Sequence, residues 1–240
     1  MKENSNIKKY FKRIGIGLVV ILVVVFSAFY IYTLDYYRAD STAENTKISQ
    51  TIDDYYIFKP EDSVDRHIGF IFYPGGKVEA LAYAPLMKQL EDEGITCVLV
   101  KMPFNLAVFN IKAADDIVSG NNRINGLDNI KEWNIGGHSL GGAMASSYLA
   151  NTKNKFDGLV LLGAYPINNF EIPILAIVGS EDKVVNQEKL KDVKAPLIIQ
   201  GGNHGNYGNY GNQKGDGKSS INREEQQRIT VEAILSFLIK

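Results

Sequence analysis

The 240-residue sequence has one cysteine, three histidines and no surplus of either charge, its formal net charge being -1. A single thiol builds no disulfide framework, and Cys97, inside the apolar run ITCVLV, reads as a buried strand residue. Near-neutral charge offers no basic face to displace counterions from phosphates, so nucleic acid is not an expected partner. No internal repeat is visible, which argues against a solenoid or propeller. The scarcity of histidine confines any imidazole chemistry to His67, His138 or His204.

What is present is an ordinary globular composition, 45% hydrophobic and 22% charged, suited to one folded domain with a sizeable core. Ahead of it, residues 14–34 (IGIGLVVILVVVFSAFYIYTL) carry no charge and reach the roughly 20 residues that cross a bilayer as a helix. Lys8, Lys9, Lys12 and Arg13 precede this stretch, and Tyr30, Tyr32, Tyr36 and Tyr37 cluster at its far end. That distribution follows the positive-inside rule and the interfacial aromatic belt. The expectation is a single-pass membrane anchor: a basic cytoplasmic segment over 1–13, a transmembrane helix in the lipid bilayer over 14–34, a polar linker over 35–47, and an extracytoplasmic domain over 48–240. A cleaved signal peptide is the competing reading, but its apolar core is usually shorter, and VFSA is a mediocre cleavage site.

From Ile48 the pattern becomes regular. ISQTIDDYYIF suggests a hairpin turning at Asp53-Asp54, and six apolar runs follow: IGFIFY, ITCVLV, EWNIGG, GLVLLG, ILAIVG and PLIIQG. Between them lie ALAYAPLMKQLEDE, the stretch after Phe104, GGAMASSYLA and VVNQEKLKDV, each with the makings of a crossover helix. Asn222 with Glu225 three residues on resembles a capping box opening a terminal helix, with Val231, Ile234, Phe237 and Leu238 on its apolar face. Short, continuously apolar strands alternating with helices predict an α/β domain: a mostly parallel sheet covered on both faces.

Within this frame Gly137-His138-Ser139-Leu140-Gly141 matches G-x-S-x-G, with an apolar strand before it and small helix-forming residues after it. Glycines let the backbone turn sharply, leaving a serine exposed at a helix N-terminus, where the dipole favours developing negative charge. A serine hydroxyl needs a base, and the base needs an orienting acid. His204, just past PLIIQGGN, lies on the rim where open α/β sheets bind ligands. His67 precedes the first central strand, and His138 adjoins the serine but points elsewhere on the turn. Asp182, after ILAIVG, completes the order Ser, Asp, His, with Glu181 as its nearest rival. An oxyanion needs two N–H donors, one from Leu140 and the other from the loop YPGGK, where Gly75, Gly76 and Lys77 remain open.

Carrying FYPGGKVEALAYAPL, KMPFNLAVF, GGHSLGGAMA and NREEQQ, the chain resembles the α/β-hydrolase superfamily over essentially all of residues 48–240. It looks most like the compact bacterial branch of that superfamily, which is similar in outline to the dienelactone hydrolases. The resemblance implies an α/β-hydrolase fold, a triad of Ser139, Asp182 and His204, and an oxyanion hole built from the loop and Leu140. It implies no particular substrate, and Ser139 stands where dienelactone hydrolases use cysteine. The expected activity is hydrolysis of an ester-type bond in a small-molecule acyl substrate, with no metal or organic cofactor; acyl transfer, peptide cleavage and a non-catalytic tethered binding module are the alternatives. Lys101, Asn105 and Tyr207 are candidates for contacting substrate, against bland readings as a snorkelling strand end, a helix cap and part of a flexible surface loop. The short link INNFE leaves no space for a helical lid, so the site should be open.

Overall fold

The computed structural model describes residues 2–52, 54–119 and 126–239, with side chains from residue 10 onward. The chain divides into two units, Met1–Tyr36 and Tyr37–Lys240. The first is a helix, α1 (Lys2–Leu34). Its portion Tyr10–Leu34 is long and apolar enough to cross a membrane, with a mean hydropathy of 2.8 over its most apolar window and none of that window buried. The side chains of Lys8 and Lys9, invoked for the orientation, lie outside the described residues.

The second unit begins earlier than the polar composition of 35–47 suggests. Tyr37 forms a parallel bridge with Val78. Residues Ser41–Glu44 make one helical turn, α2, whose N-cap Asp40 accepts the N–H groups of Thr42 and Ala43, and Ala43 is completely buried. Polar residues here act as caps and ties, satisfying backbone donors, so a stretch without hydrophobic periodicity is nonetheless ordered.

Eight strands follow: β1 (Gln50–Ile52), β2 (Tyr55–Phe58), β3 (Ile68–Tyr73), β4 (Ile95–Val100), β5 (Glu132–His138), β6 (Gly158–Leu162), β7 (Ile174–Gly179) and β8 (Leu197–Ile199). They form one sheet in the order β1-β2-β4-β3-β5-β6-β7-β8. The hairpin expected over 48–58 supplies the antiparallel edge, with Asp53 outside the described residues, and every pairing from β4 to β8 is parallel. Strands β3, β4 and β6 are buried at every position, as continuous apolar runs require when helices cover both faces. Side chains alternate between the faces. Phe70 and Phe72 join the core beneath α3 (Ala84–Asp92) and the terminal helix, whereas Ile71 and Tyr73 join the core on the opposite face, with Ala113, Ile117 and Ala145.

Two expected helices are shorter than the sequence suggests. After β4 the chain makes 3-10 turns at Pro103–Asn105 and Ala107–Phe109 before α4 (Ala113–Val118), because Phe104 and Asn105 both adopt left-handed φ values of 56° and 55°. The segment VVNQEKLKDV yields only α6 (Gln187–Leu190), which follows α5 (Leu140–Asn151) in the chain. Asp182 holds the N–H groups of Val184 and Val185 in a turn, and helix formation waits for the cap at Asn186. The last helix, α7 (Arg223–Leu238), starts where expected. Asn222 Oδ1 accepts the Glu225 N–H at 2.7 Å, but the Glu225 carboxylate pairs with Arg228 rather than returning to the cap. No helix interrupts residues 163–173, between β6 and β7.

Candidate active site

The strand order reverses around β3, with β4 on one side and β5 on the other, and the carboxyl ends of β3 and β5 mark the crevice where such sheets bind ligands. Ser139 follows β5 with φ 51° and ψ -120°, a conformation that a side chain other than glycine adopts at a cost of about 1–3 kcal/mol and that clusters at functional sites. Its N–H donates to the Leu162 carbonyl at 2.9 Å. The turn needs Gly141: a Cβ there would fall 2.1 Å from the Tyr73 oxygen and 2.2 Å from that of Pro74. Leu140 contributes the first N–H of α5, which a helix leaves without an internal partner.

His204 and Asp182 are 1% and 2% exposed, so their pairing is shielded from water. His204 Nδ1 lies 2.7 Å from Asp182 Oδ2, while Asp182 Oδ1 accepts two backbone N–H groups. The carboxylate of the rival Glu181 accepts the hydroxyl of its neighbour Ser180 at 3.2 Å. The other ring nitrogen, His204 Nε2, is buried without a hydrogen-bond partner among the described residues. Ser139 and His204 line one cavity of about 350 Å³, together with Leu140, Ala143, Ile167 and Val184. Gly163, with φ 53°, makes room for the pair, since a Cβ there would stand 2.8 Å from His204 Nδ1.

Of the three candidate donors in the loop after β3, two are engaged elsewhere. The Gly75 N–H donates to the Tyr83 hydroxyl at 3.1 Å, and the Lys77 N–H to the Asn105 carbonyl at 2.7 Å. Gly76 remains, and it sits against Leu140, whose Cδ2 a Cβ at position 76 would meet at 2.9 Å.

Sequence reasoning missed the layer beneath. His138 does not point away idly: it is buried, with its ring centroid 4.4 Å from that of His204 and Nδ1 2.7 Å from the Tyr83 hydroxyl. Burial first, and the nearby His204 ring second, hold His138 well below the usual imidazole range. Tyr83 is raised by burial, and its hydroxyl accepts the Gly75 N–H while meeting His138 Nδ1, so it ties the loop after β3 to the buried imidazole. The only hint in the sequence is the histidine in G-H-S-L-G.

The three candidates for substrate contact are not among the described residues that line this cavity. The Lys101 ammonium donates to the Ile52 carbonyl at 3.0 Å and lies 4.2 Å over the Tyr56 ring, on the β2 side of β4 and away from Ser139. Tyr207 is fully buried, with its hydroxyl donating to the Ile177 carbonyl; the glycines of its segment let the ring fold into the core instead of over the cavity. Asn105 lies inside a 3-10 turn, and its backbone carbonyl accepts the Lys77 N–H. His67 sits with Asp65 and Asn129, before β3 at the opposite end of the strands.

Residues 69–228 match the alpha/beta hydrolase family. No curated protein matches the sequence. Among solved structures, Est1E of Butyrivibrio proteoclasticus with bound ferulic acid is similar with a TM-score of 0.57 at 13% identity, covering 78% of this chain and 96% of its own. XC6422 of Xanthomonas campestris, an α/β serine hydrolase without a lid, is similar with a TM-score of 0.54 at 12% identity, covering 78% and 90%. The apo form of Thermogutta terrifontis esterase 2 has a TM-score of 0.54 at 17% identity, covering 80% and 94%. At such identities the likeness is one of fold.

Proposed function

Since the chain belongs to the alpha/beta hydrolase family, we propose that it is a serine hydrolase acting on an ester-type acyl bond, with Ser139 as nucleophile, His204 as base and Asp182 as orienting acid. One observation carries this reading. A serine in a left-handed turn shares a cavity with an imidazole whose Nδ1 is held by a buried carboxylate and whose Nε2 has no hydrogen-bond partner among the described residues. In the reaction, Ser139 Oγ attacks the acyl carbon as His204 Nε2 takes its proton. The Leu140 and Gly76 N–H groups receive the oxyanion, His204 returns the proton to the leaving group, and water then hydrolyses the acyl-enzyme by the same steps. The Asp182 carboxylate keeps the His204 proton on Nδ1.

The cavity supports a compact acyl substrate, being lined by apolar side chains, with no helix between β6 and β7 to cover it. The apolar helix Tyr10–Leu34 serves in this reading as an uncleaved anchor with the domain outside the cytoplasm, on the strength of its length and hydropathy.

The test is to treat the full chain, in detergent, with a fluorophosphonate probe and to locate the adduct by mass spectrometry. Labelling is expected at Ser139 alone, and Ser139→Ala should abolish it and lower ester turnover by on the order of 10⁴-fold or more. A folded chain that neither labels nor turns over p-nitrophenyl acetate would replace this reading with a binding module on the same fold.

A further inference from the structure

The segment Tyr37–Glu44 touches no reacting atom, yet it is tied to both halves of the candidate site. On one side the Tyr37 N–H donates to the Lys77 carbonyl at 2.7 Å, the Glu79 N–H to the Tyr37 carbonyl at 2.9 Å, and the Ala39 N–H to Glu79 Oε2 at 2.9 Å. On the other side the Asp40 N–H donates to the Asn209 carbonyl at 2.8 Å and the Lys214 N–H to the Tyr37 hydroxyl at 2.9 Å. Asp40 Oδ2 also pairs with Arg223 at 3.1 Å, and the Tyr37 ring packs on Tyr210 with centroids 5.5 Å apart. Lys77 and Glu79 belong to the loop that carries Gly76; Asn209, Tyr210 and Lys214 belong to the segment that follows His204.

We propose that Tyr37–Glu44 is a positioning strap, which clamps the loop after β3 against the His204 segment and thereby aims the Gly76 N–H into the cavity. The inference rests on the serine-hydrolase reading of Ser139 and adds a part to it. The peptide joining Gly75 to Gly76 has two polar atoms on opposite sides of its plane. Its carbonyl accepts the Val78 N–H at 3.2 Å, so its N–H, that of Gly76, is turned the other way, away from Val78. Val78 is held in place by its bridge to Tyr37, and Lys77 is gripped twice, through its N–H by Asn105 and through its carbonyl by Tyr37. Without the strap, the turn of residues 75–78 loses its ties to Tyr37 at Lys77 and Val78, and a glycine pair reorients its peptide at little steric cost. An oxyanion donor acts only if it is preorganised toward the position where charge develops.

The experiment compares full-length chain with Tyr37→Pro, which removes the N–H, hydroxyl and ring contacts together, and with Asp40→Ala, which keeps the backbone bond to Asn209 but removes the carboxylate that holds Arg223, the Asn209 amide and the N-cap of α2. Hydrogen–deuterium exchange and steady-state hydrolysis of p-nitrophenyl acetate are measured on each. The expected result is faster exchange at Lys77, Val78 and Lys214, with the central strands unchanged. With it comes a fall in kcat of about ten- to a hundredfold while KM stays within about threefold, since a transition-state contact is lost rather than ground-state binding. Should Tyr37→Pro fail to fold, Asp40→Ala carries the same test with a smaller fall. Exchange at residues 75–78 and 204–214 that matches the wild type, or faster exchange there with kcat intact, overturns the strap. An inactive, unlabelled wild type overturns the serine-hydrolase reading instead, and the exchange comparison still decides whether the strap holds the two loops.

Discussion

His138 shows how one side chain couples the site to the stability of the chain. In the folded protein it is neutral because burial opposes its charge, whereas in the unfolded chain an imidazole takes up a proton near its ordinary value of about 6.5. As pH falls through that value, the unfolded state gains a proton that the folded state refuses, and stability drops by as much as about 1.4 kcal/mol per pH unit. Thermal melting followed from pH 8 to pH 5 should therefore show the melting temperature falling below about pH 6.5, with a shallower fall in His138→Gln. An equal acid slope in the two proteins would mean that the ring is not held neutral. The importance of this residue was not legible in the sequence, because its partners Tyr83 and His204 lie 55 and 66 positions away and meet it only through the sheet. The candidates Ser139, Asp182 and His204 came within reach of the sequence for the opposite reason: each lies within five residues of the end of an apolar strand, so strand order alone puts them on one rim.

At the level of elements, the strands could be read from composition, since a parallel sheet buried on both faces demands uninterrupted Val, Ile, Leu and Phe. The helices after Pro103 and Asp182 could not, because there side chains and left-handed backbone divert the N–H groups that a helix would use. Close packing of α5 against the end of β3 shows the same dependence on backbone detail. Gly141 faces the Tyr73 and Pro74 carbonyls so closely that even a methyl group would collide with both. Gly141→Ala should therefore push α5 off the sheet, lowering the melting temperature sharply and abolishing fluorophosphonate labelling at the adjoining Ser139. A variant that labels at the wild-type rate would show that the elbow tolerates a Cβ. Lys101 and Tyr207 show a related dependence: a residue at a strand end or in a glycine-rich loop faces whichever neighbour the tertiary fold supplies, here Tyr56 and Ile177.

For the molecule as a whole, the rim of the sheet and the segment entering the domain are one unit, with Tyr37 joined to the loop that precedes α3 and to the segment that precedes α7. The single thiol has a separate consequence. Cys97 lies in β4 with no exposure, and burial pushes its ionisation well above the usual thiol range. Ellman's reagent should find no reactive thiol in the native chain and one after unfolding in guanidinium; rapid native reaction would mean that β4 opens readily. The folded protein is thus already silent to thiol chemistry. An Ile167→Cys variant at the mouth of the cavity would carry a single addressable handle, so a fluorophore attached there could report ligand occupancy against a background free of competing labels.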